Sequence, residues 1–342
     1  MNPIYILAAI VIFGVLVAVH ELGHFLTAKL CGVRVNEFSI GMGPVLWKKE
    51  AGETQYSLRM LPLGGFCAME GEDEESDAEG SFSKAPVANR IAVVVAGAVM
   101  NIILGFAVLV FLTSQEEVIT SRTVYNFHED AMTQQTGLQV DDEIIAVNGR
   151  RCYIANDIIY EFARTQNGTA DFTVRRDGKI TELKDVTFET YTDEDGYKQM
   201  VIDFYVYPVE KTPLTVIREA VHWTMSLART IFLSLVDMVT GRVAMNQISG
   251  PVGIVTVISE AASVGLKPLL NILALITINL GVFNLVPFPA LDGGRLVFLL
   301  IELFRGKPIN PKYEIWVNAA GMIVLLAFMA LVTFSDVTKL IF

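Results

Sequence analysis

Cysteine is scarce in this 342-residue chain: Cys31, Cys67 and Cys152 are odd in number and far apart. They form no C-x-x-C pair, which excludes a disulfide framework and a thiolate metal knuckle. Basic residues are outnumbered, 26 Lys and Arg against 37 Asp and Glu, for a net charge of -11. No basic stripe occurs, so the chain lacks the footprint of a nucleic-acid partner. Charged residues make up only 18% of the chain, and they are segregated rather than spread. There are only four histidines. Internal repeats of the kind that build secondary transporters are absent, which argues against a metal transporter with an intramembrane site. The first apolar run has no basic segment before it and no A-x-A cleavage site after it, so it reads as a retained span rather than a signal peptide.

What the chain has in abundance is apolar sequence: 52% of residues are hydrophobic, and the mean hydropathy is +0.47. That suits a membrane protein carrying a soluble insert. Four runs approach the roughly 20 residues needed to cross a bilayer. They are Ile4 to Leu30, Ile91 to Leu112, Leu269 to Leu291 and Ile315 to Phe334. Asn101 is the sole polar interruption noted in the second. Lys29, Arg34, Lys84 and Arg90 flank the first loop, and Arg295, Arg305, Lys307 and Lys312 populate the last. The positive-inside rule therefore places both loops in the cytoplasm, both termini outside, and the long insert outside as well.

His20-Glu21-Leu22-Gly23-His24 lies at the end of the first run. Ionisable groups at membrane depth are costly and mark function. On a helix, His at i and i+4 share one face and suit one zinc ion, with the intervening Glu placed to act on water. Such a site needs a third protein ligand and an open position. Asp292 supplies a candidate, in Asn284-Leu285-Val286-Pro287-Phe288-Pro289-Ala290-Leu291-Asp292-Gly293-Gly294-Arg295. The prolines break the helix and the glycines permit unusual backbone. Irregular backbone at membrane depth is tolerated only around a cavity or inside protein. The first and third spans enter from the same side, which puts both motifs at similar depth.

Residues 31–90 form the first loop. Tyr56, Leu58 and Met60 alternate with polar residues, and Gly52 marks a turn, so about Val33 to Gly65 reads as β structure. Gly41 and Gly43 allow close backbone approach. The acidic run Glu70 to Glu75 reads as a solvated loop. Residues 114–208 read as a soluble α/β insert. Its stretch Gly137 to Gly149 is PDZ-like and ends in the hairpin signal Asn148-Gly149. Either it captures peptides or substrate ectodomains by adding a strand, or it is a β module with no peptide role. Residues 212–268 read as an amphipathic linker, an interfacial or a core helix rather than a fifth span.

Together these motifs resemble the site-2 protease family of intramembrane zinc metalloproteases, in its bacterial RseP/RasP branch. The resemblance covers nearly the whole chain: His20 to His24, Asn284 to Gly294, the PDZ-like insert, and Ser249-Gly250-Pro251. It implies a polytopic α-helical membrane protein of four transmembrane helices, with a membrane-associated β hairpin loop and the inserted PDZ-like domain. It implies that His20, His24 and Asp292 bind one Zn2+, that Glu21 is the general base, and that Asn284 contacts substrate or steadies the oxyanion. It implies that the hairpin near Gly41 and Gly43 receives substrate as an added strand. The implied partners are the lipid bilayer and single-span membrane proteins, such as an anti-sigma factor or signal-peptide remnants. The implied location is the bacterial plasma membrane, with cleavage near its cytoplasmic side. Two departures stand out: the insert has room for about one PDZ domain where well-known Gram-negative members carry two, and Arg295 stands where several relatives have His. A competing reading is a non-catalytic adaptor that binds peptides through the insert, against which stand the intact His20, Glu21 and His24.

Overall fold

The computed structural model describes residues 3–72, 76–165, 167–192, 198–240 and 250–341. They form two compact units, one of residues 1–108 with 230–342 and one of residues 109–229. Ser249 lies outside the described residues.

The larger unit begins with α1 (Pro3–Leu30). It ends at Gly32, whose φ of +72° lets the Val33 N–H reach back to the Ala28 carbonyl at 2.8 Å. That left-handed stop turns the chain into β1 (Val35–Ala51) and β2 (Thr54–Met69). The two strands are long enough to double back. On one side residues 37–40 pair with 68–65 in descending register, and on the other with 55–58 in ascending register. Residues 65–69 consequently have a ladder partner on one side only among the described residues. At the far end Met42, Leu46, Trp47 and Met60 are each at least half exposed. The expected β structure therefore runs on to Met69, past Gly65.

The helix α2 (Val87–Gln115) follows and continues into the second unit. In the smaller unit come β3 (Ile119–Phe127), α3 (Met132–Gln135), β4 (Glu143–Val147) and β5 (Arg150–Arg151). Then come α4 (Ala155–Ala163), β6 (Thr169–Arg176), β7 (Lys179–Thr187), β8 (Thr190–Thr192), β9 (Lys198–Met200) and β10 (Phe204–Val209). One sheet has the order β10-β3-β4-β6-β7, with β5 on β4, and β8 pairs β9 separately. Alternation sets the register: Ala170, Phe172 and Val174 of β6 point inward against Ile144, Phe162 and Phe188. The Asn148-Gly149 turn joins β4 to β5 with φ of +49° and +73°, the backbone that a tight hairpin of this kind requires.

The helix α5 (Pro213–Val239) leads back into the larger unit. There α6 (Pro251–Val264), α7 (Leu266–Asn284), α8 (Asp292–Arg305) and α9 (Pro311–Ile341) complete the chain. Two expectations are corrected. The third apolar run is helical only to Asn284, not to Leu291, because Pro287 and Pro289 cannot continue a helix; Asp292 opens a new helix instead of closing the old one. The segment read as an amphipathic linker contains a distinct apolar helix, α6, packed against α1, α7 and α9. Its first amides, at Gly250 and Gly253, both donate to Asp336 Oδ2 of α9, at 2.9 and 2.8 Å. A carboxylate at a helix start satisfies orphan donors and complements the helix dipole.

Among the described residues four helices are long and apolar enough to cross a membrane, over Tyr5–Leu30, Val87–Gln115, Leu266–Asn284 and Lys312–Thr338. Small residues let two of them close up. A side chain at Gly105 would collide with Ile278, and one at Gly281 with the Ala98 carbonyl.

The thiols offer a simple check of this packing. Burial pushes Cys67 and Cys152 up to about 12, while Cys31 is partly exposed. Thiolate is the reactive form. Maleimide at neutral pH should therefore label one thiol per folded chain and three after denaturation. Rapid labelling of all three in the folded chain would contradict the packing.

Candidate metal centre

His20 and His24 sit one turn apart on α1, with ring centroids separated by 4.7 Å. They are only 7% and 8% exposed, because α2 lies directly over them. Gly97 makes that possible. A Cβ there would stand 2.4 Å from His24 Nε2 and 2.7 Å from His20 Cε1. Each ring's other nitrogen also meets α2. His24 Nδ1 is 2.8 Å from the Val93 carbonyl, and His20 Nδ1 is 3.1 Å from the Asn101 carboxamide.

Asp292 arrives from the opposite direction. After Asn284 the chain makes a tight loop, in which Ala290 adopts φ +74°. The Ala290 N–H donates to Asn318 Oδ1 of α9 at 3.3 Å. The loop then folds back on the start of α8 closely enough that only glycine fits. A Cβ on Gly293 would lie 2.1 Å from the Val286 carbonyl oxygen, and one on Gly294 2.5 Å from that of Phe288. Asp292 thus projects from the first turn of α8, where the helix dipole favours a carboxylate. Two ion pairs tether α8, one to the start of α2 and one to the first loop. Arg90 grips Glu302 with both guanidinium ends, at 3.1 and 2.5 Å, and Arg295 donates to Glu72. The latter gives Arg295, for which the sequence suggested no role, a structural one.

The three expected ligands meet. His20 Nε2 is 3.1 Å from His24 Nε2, Asp292 Oδ2 is 3.1 Å from His20 Nε2, and 3.5 Å from His24 Nε2. Asp292 Oδ2 is buried and has no conventional hydrogen-bond partner among the described residues. Ligands about 2.0–2.1 Å from a tetrahedral zinc stand about 3.3 Å apart. The observed triangle matches that spacing on all three sides. Two imidazoles and a carboxylate also match the donor set of catalytic zinc sites, which leave one position open. Among the described residues this is the one cluster of metal-ligating side chains found.

The remaining sequence candidates fall around this triangle. Asn284 Nδ2 lies 3.5 Å from both His20 ring nitrogens, beside the ligands and not among them. Glu21 follows His20 on α1 and faces β2, its Cγ 3.5 Å from where a Gly65 side chain would begin. Gly41 and Gly43 lie within the doubled sheet; a Cβ at Gly41 would be 2.6 Å from the Leu61 carbonyl oxygen. Gly65, on the one-sided strand, is the glycine beside Glu21. The sequence reading missed Gly65, Val93, Gly97, Asn101 and Asn318. Only Asn101 carried a signal, as the lone polar residue noted in an apolar run.

Comparison with known proteins agrees. The profile of Peptidase family M50 matches residues 8–328. A Clostridium acetobutylicum protein assigned by name to the zinc metalloproteases is 36% identical over 340 residues, covering 98% of each chain. Regulator of sigma-W protease RasP of Bacillus subtilis is 30% identical, covering 98% of each chain. Zinc metalloprotease RasP of Bacillus licheniformis is 31% identical, covering 98% of this chain and 99% of its own. The chain therefore belongs to Peptidase family M50, the site-2 protease family, and is a membrane-embedded zinc metalloendopeptidase.

Proposed function

We propose that this enzyme hydrolyses peptide bonds within or beside the spanning segment of single-span membrane proteins. The observation that carries the reading is the buried triangle of His20, His24 and Asp292, set among helices long enough to cross a bilayer. In this reading the three side chains hold one zinc ion. Zinc supplies Lewis acidity to such a site. Glu21 accepts a proton from the attacking water and returns it to the departing amine. The water oxygen ends on the acyl carbon as the carbon–nitrogen bond breaks. Asn284, next to His20, donates to the carbonyl oxygen as charge develops there, a contact worth about 3–4 kcal/mol in comparable sites.

A spanning helix hides its amides in internal hydrogen bonds, so the substrate must unwind before Glu21 can serve it. The edge at residues 65–69 offers backbone groups to an extended chain, beside Glu21. This supports strand capture along residues 65–69, with Gly41 and Gly43 on the neighbouring strand of the same hairpin. The exposed apolar tip of the hairpin suits contact with lipid. The loop charges put this hairpin and α8 on the cytoplasmic side, and the 109–229 unit with both termini on the other. There the PDZ-like unit meets the substrate's ectodomain. A relative named as a regulator of sigma-W supports an anti-sigma factor as one substrate; signal-peptide remnants share the same single-span chemistry.

The test uses purified full-length chain and single-span reporters. Each Ala→Gly change in a helix weakens it by about 1 kcal/mol. Two such changes near the scissile bond, about 2 kcal/mol together, should raise cleavage roughly thirtyfold if unwinding limits the rate. Cleavage should stop with a zinc chelator and return with zinc. Chelator-insensitive cleavage, or cleavage only outside the spanning region, would overturn the reading.

A further inference from the structure

The sequence offers no assignment for Asn101, yet the structure places it directly behind His20, one corner of the metal site. It is fully buried in α2. Its backbone carbonyl accepts a hydrogen bond from the Thr277 hydroxyl of α7 at 3.1 Å. Its carboxamide lies against His20 Nδ1, and the carboxamide oxygen is buried without a hydrogen-bond partner among the described residues. An unpaired buried oxygen is costly, and its presence beside a ligand calls for an explanation.

The two histidines supply one. A neutral imidazole carries one proton, so a ring that offers its Nε2 lone pair to a cation must bear its proton on Nδ1. His24 shows the arrangement: its Nδ1 faces the Val93 carbonyl, which only accepts. The equivalent neighbour of His20 Nδ1 is Asn101. If the Asn101 nitrogen donates to Nδ1, the His20 proton is forced onto Nε2, the atom that faces His24 and Asp292. The lone pair needed at that corner is then lost. The two ends of a carboxamide are alike in size, so a half-turn presents the oxygen in the same space. The oxygen then accepts the His20 Nδ1–H, and Nε2 is free. Val93, Gly97 and Asn101 follow one another at four-residue spacing on α2. This single stripe holds His24, closes over both rings, and holds His20.

We propose that Asn101 is a positioning residue of the metal centre, whose side-chain oxygen accepts the Nδ1 proton of His20 and so fixes the ring in its metal-binding tautomer. The inference rests on the zinc reading above. Partners behind a metal-ligating histidine set its tautomer and orientation, and their loss lowers metal affinity 10–100-fold. Asn101→Ala should weaken zinc binding by that factor, measured by competition with a chelator of known affinity. Asn101→Asp keeps an acceptor at the same reach and should restore it. A residue that merely packed α2 would give the opposite ranking, because Ala is tolerated in a helix and a buried carboxylate without a donor is not.

The tautomer is read directly by nitrogen-15 NMR of the zinc-loaded wild-type chain, labelled at its four histidines. The expected spectrum has the His20 proton on Nδ1, assigned by its loss in His20→Gln. A His20 proton on Nε2, or unchanged zinc affinity in Asn101→Ala, would overturn the proposal while leaving the zinc site intact. A wild-type chain that takes up no zinc would overturn the site itself. If Asn101→Ala fails to fold, Asn101→Asp decides: zinc affinity near the wild-type level supports the acceptor role, and a 10–100-fold loss overturns it.

Discussion

Glu21→Gln should leave a folded, zinc-loaded chain that hydrolyses peptide bonds roughly 10²–10⁴-fold more slowly. The size of the effect follows from the position of the residue. Glu21 is next to His20 in sequence, but one residue along a helix is about a quarter-turn around its axis. It therefore lies beside the triangle, against Gly65 of β2, and is not one of its three corners. The metal should not notice its replacement. Gln has the same shape, so the contact with the strand survives. What is lost is the ability to take a proton from water and return it to the amine. Two measurements on one preparation test this: zinc per chain and turnover of a single-span reporter. Full zinc with near-normal turnover would move the general base elsewhere. Loss of zinc together with turnover would make Glu21 a support for the ligands instead.

The ease with which different parts of this enzyme can be read from sequence follows the range of the interactions involved. His20, Glu21 and His24 are legible because a helix places i and i+4 on one face whatever surrounds it. The Asn148-Gly149 turn is legible for the same reason, since its positive φ angles are a local demand. Asp292 required a long-range step, and the sequence supplied only its chemistry. The detail that the helix stops at Asn284 and restarts at Asp292 depends on Gly293 and Gly294 tolerating the loop carbonyls, and on Asn318 holding the Ala290 amide. Asn318 is 28 residues from Ala290, and the close approach of the two glycines to the Val286 and Phe288 carbonyls exists only once the loop has folded back. The doubling of β1 and β2 was equally hidden. Period-two alternation announces a strand but not how many neighbours it has, so nothing in the sequence singled out Gly65, the glycine on the one-sided strand beside Glu21. α6 was missed because it is only 14 residues long and follows an amphipathic segment. Length and periodicity are weak guides to a short apolar helix whose stability comes from tertiary packing.

Asp292→Ala should cost more zinc affinity than any residue lying behind the ligands, and so exceed the 10–100-fold expected for such a residue. Two arguments set that order. The carboxylate is the only formal negative charge of the triangle, and Oδ2 touches both imidazole nitrogens at 3.1 and 3.5 Å. Removing it leaves two neutral donors, which is below the three protein ligands of catalytic zinc sites. Stability of the metal-free chain should change far less. An acidic residue in a first helical turn contributes only about 0.3–1 kcal/mol through the dipole, and the loop before α8 is held by Asn318 and by glycine packing that the substitution leaves alone. The expected result is therefore a split: zinc falls well below one per chain after equilibration with buffered zinc, while the unfolding temperature of the metal-free chain barely moves. His222→Ala, in the other compact unit, is the control and should retain zinc. Asn284→Ala tests the remaining contact, since a residue 3.5 Å from His20 that acts on the substrate oxygen should reduce turnover and spare the metal. If Asp292→Ala bound zinc as tightly as wild type, the buried Oδ2 would be an N-terminal helix charge and nothing more.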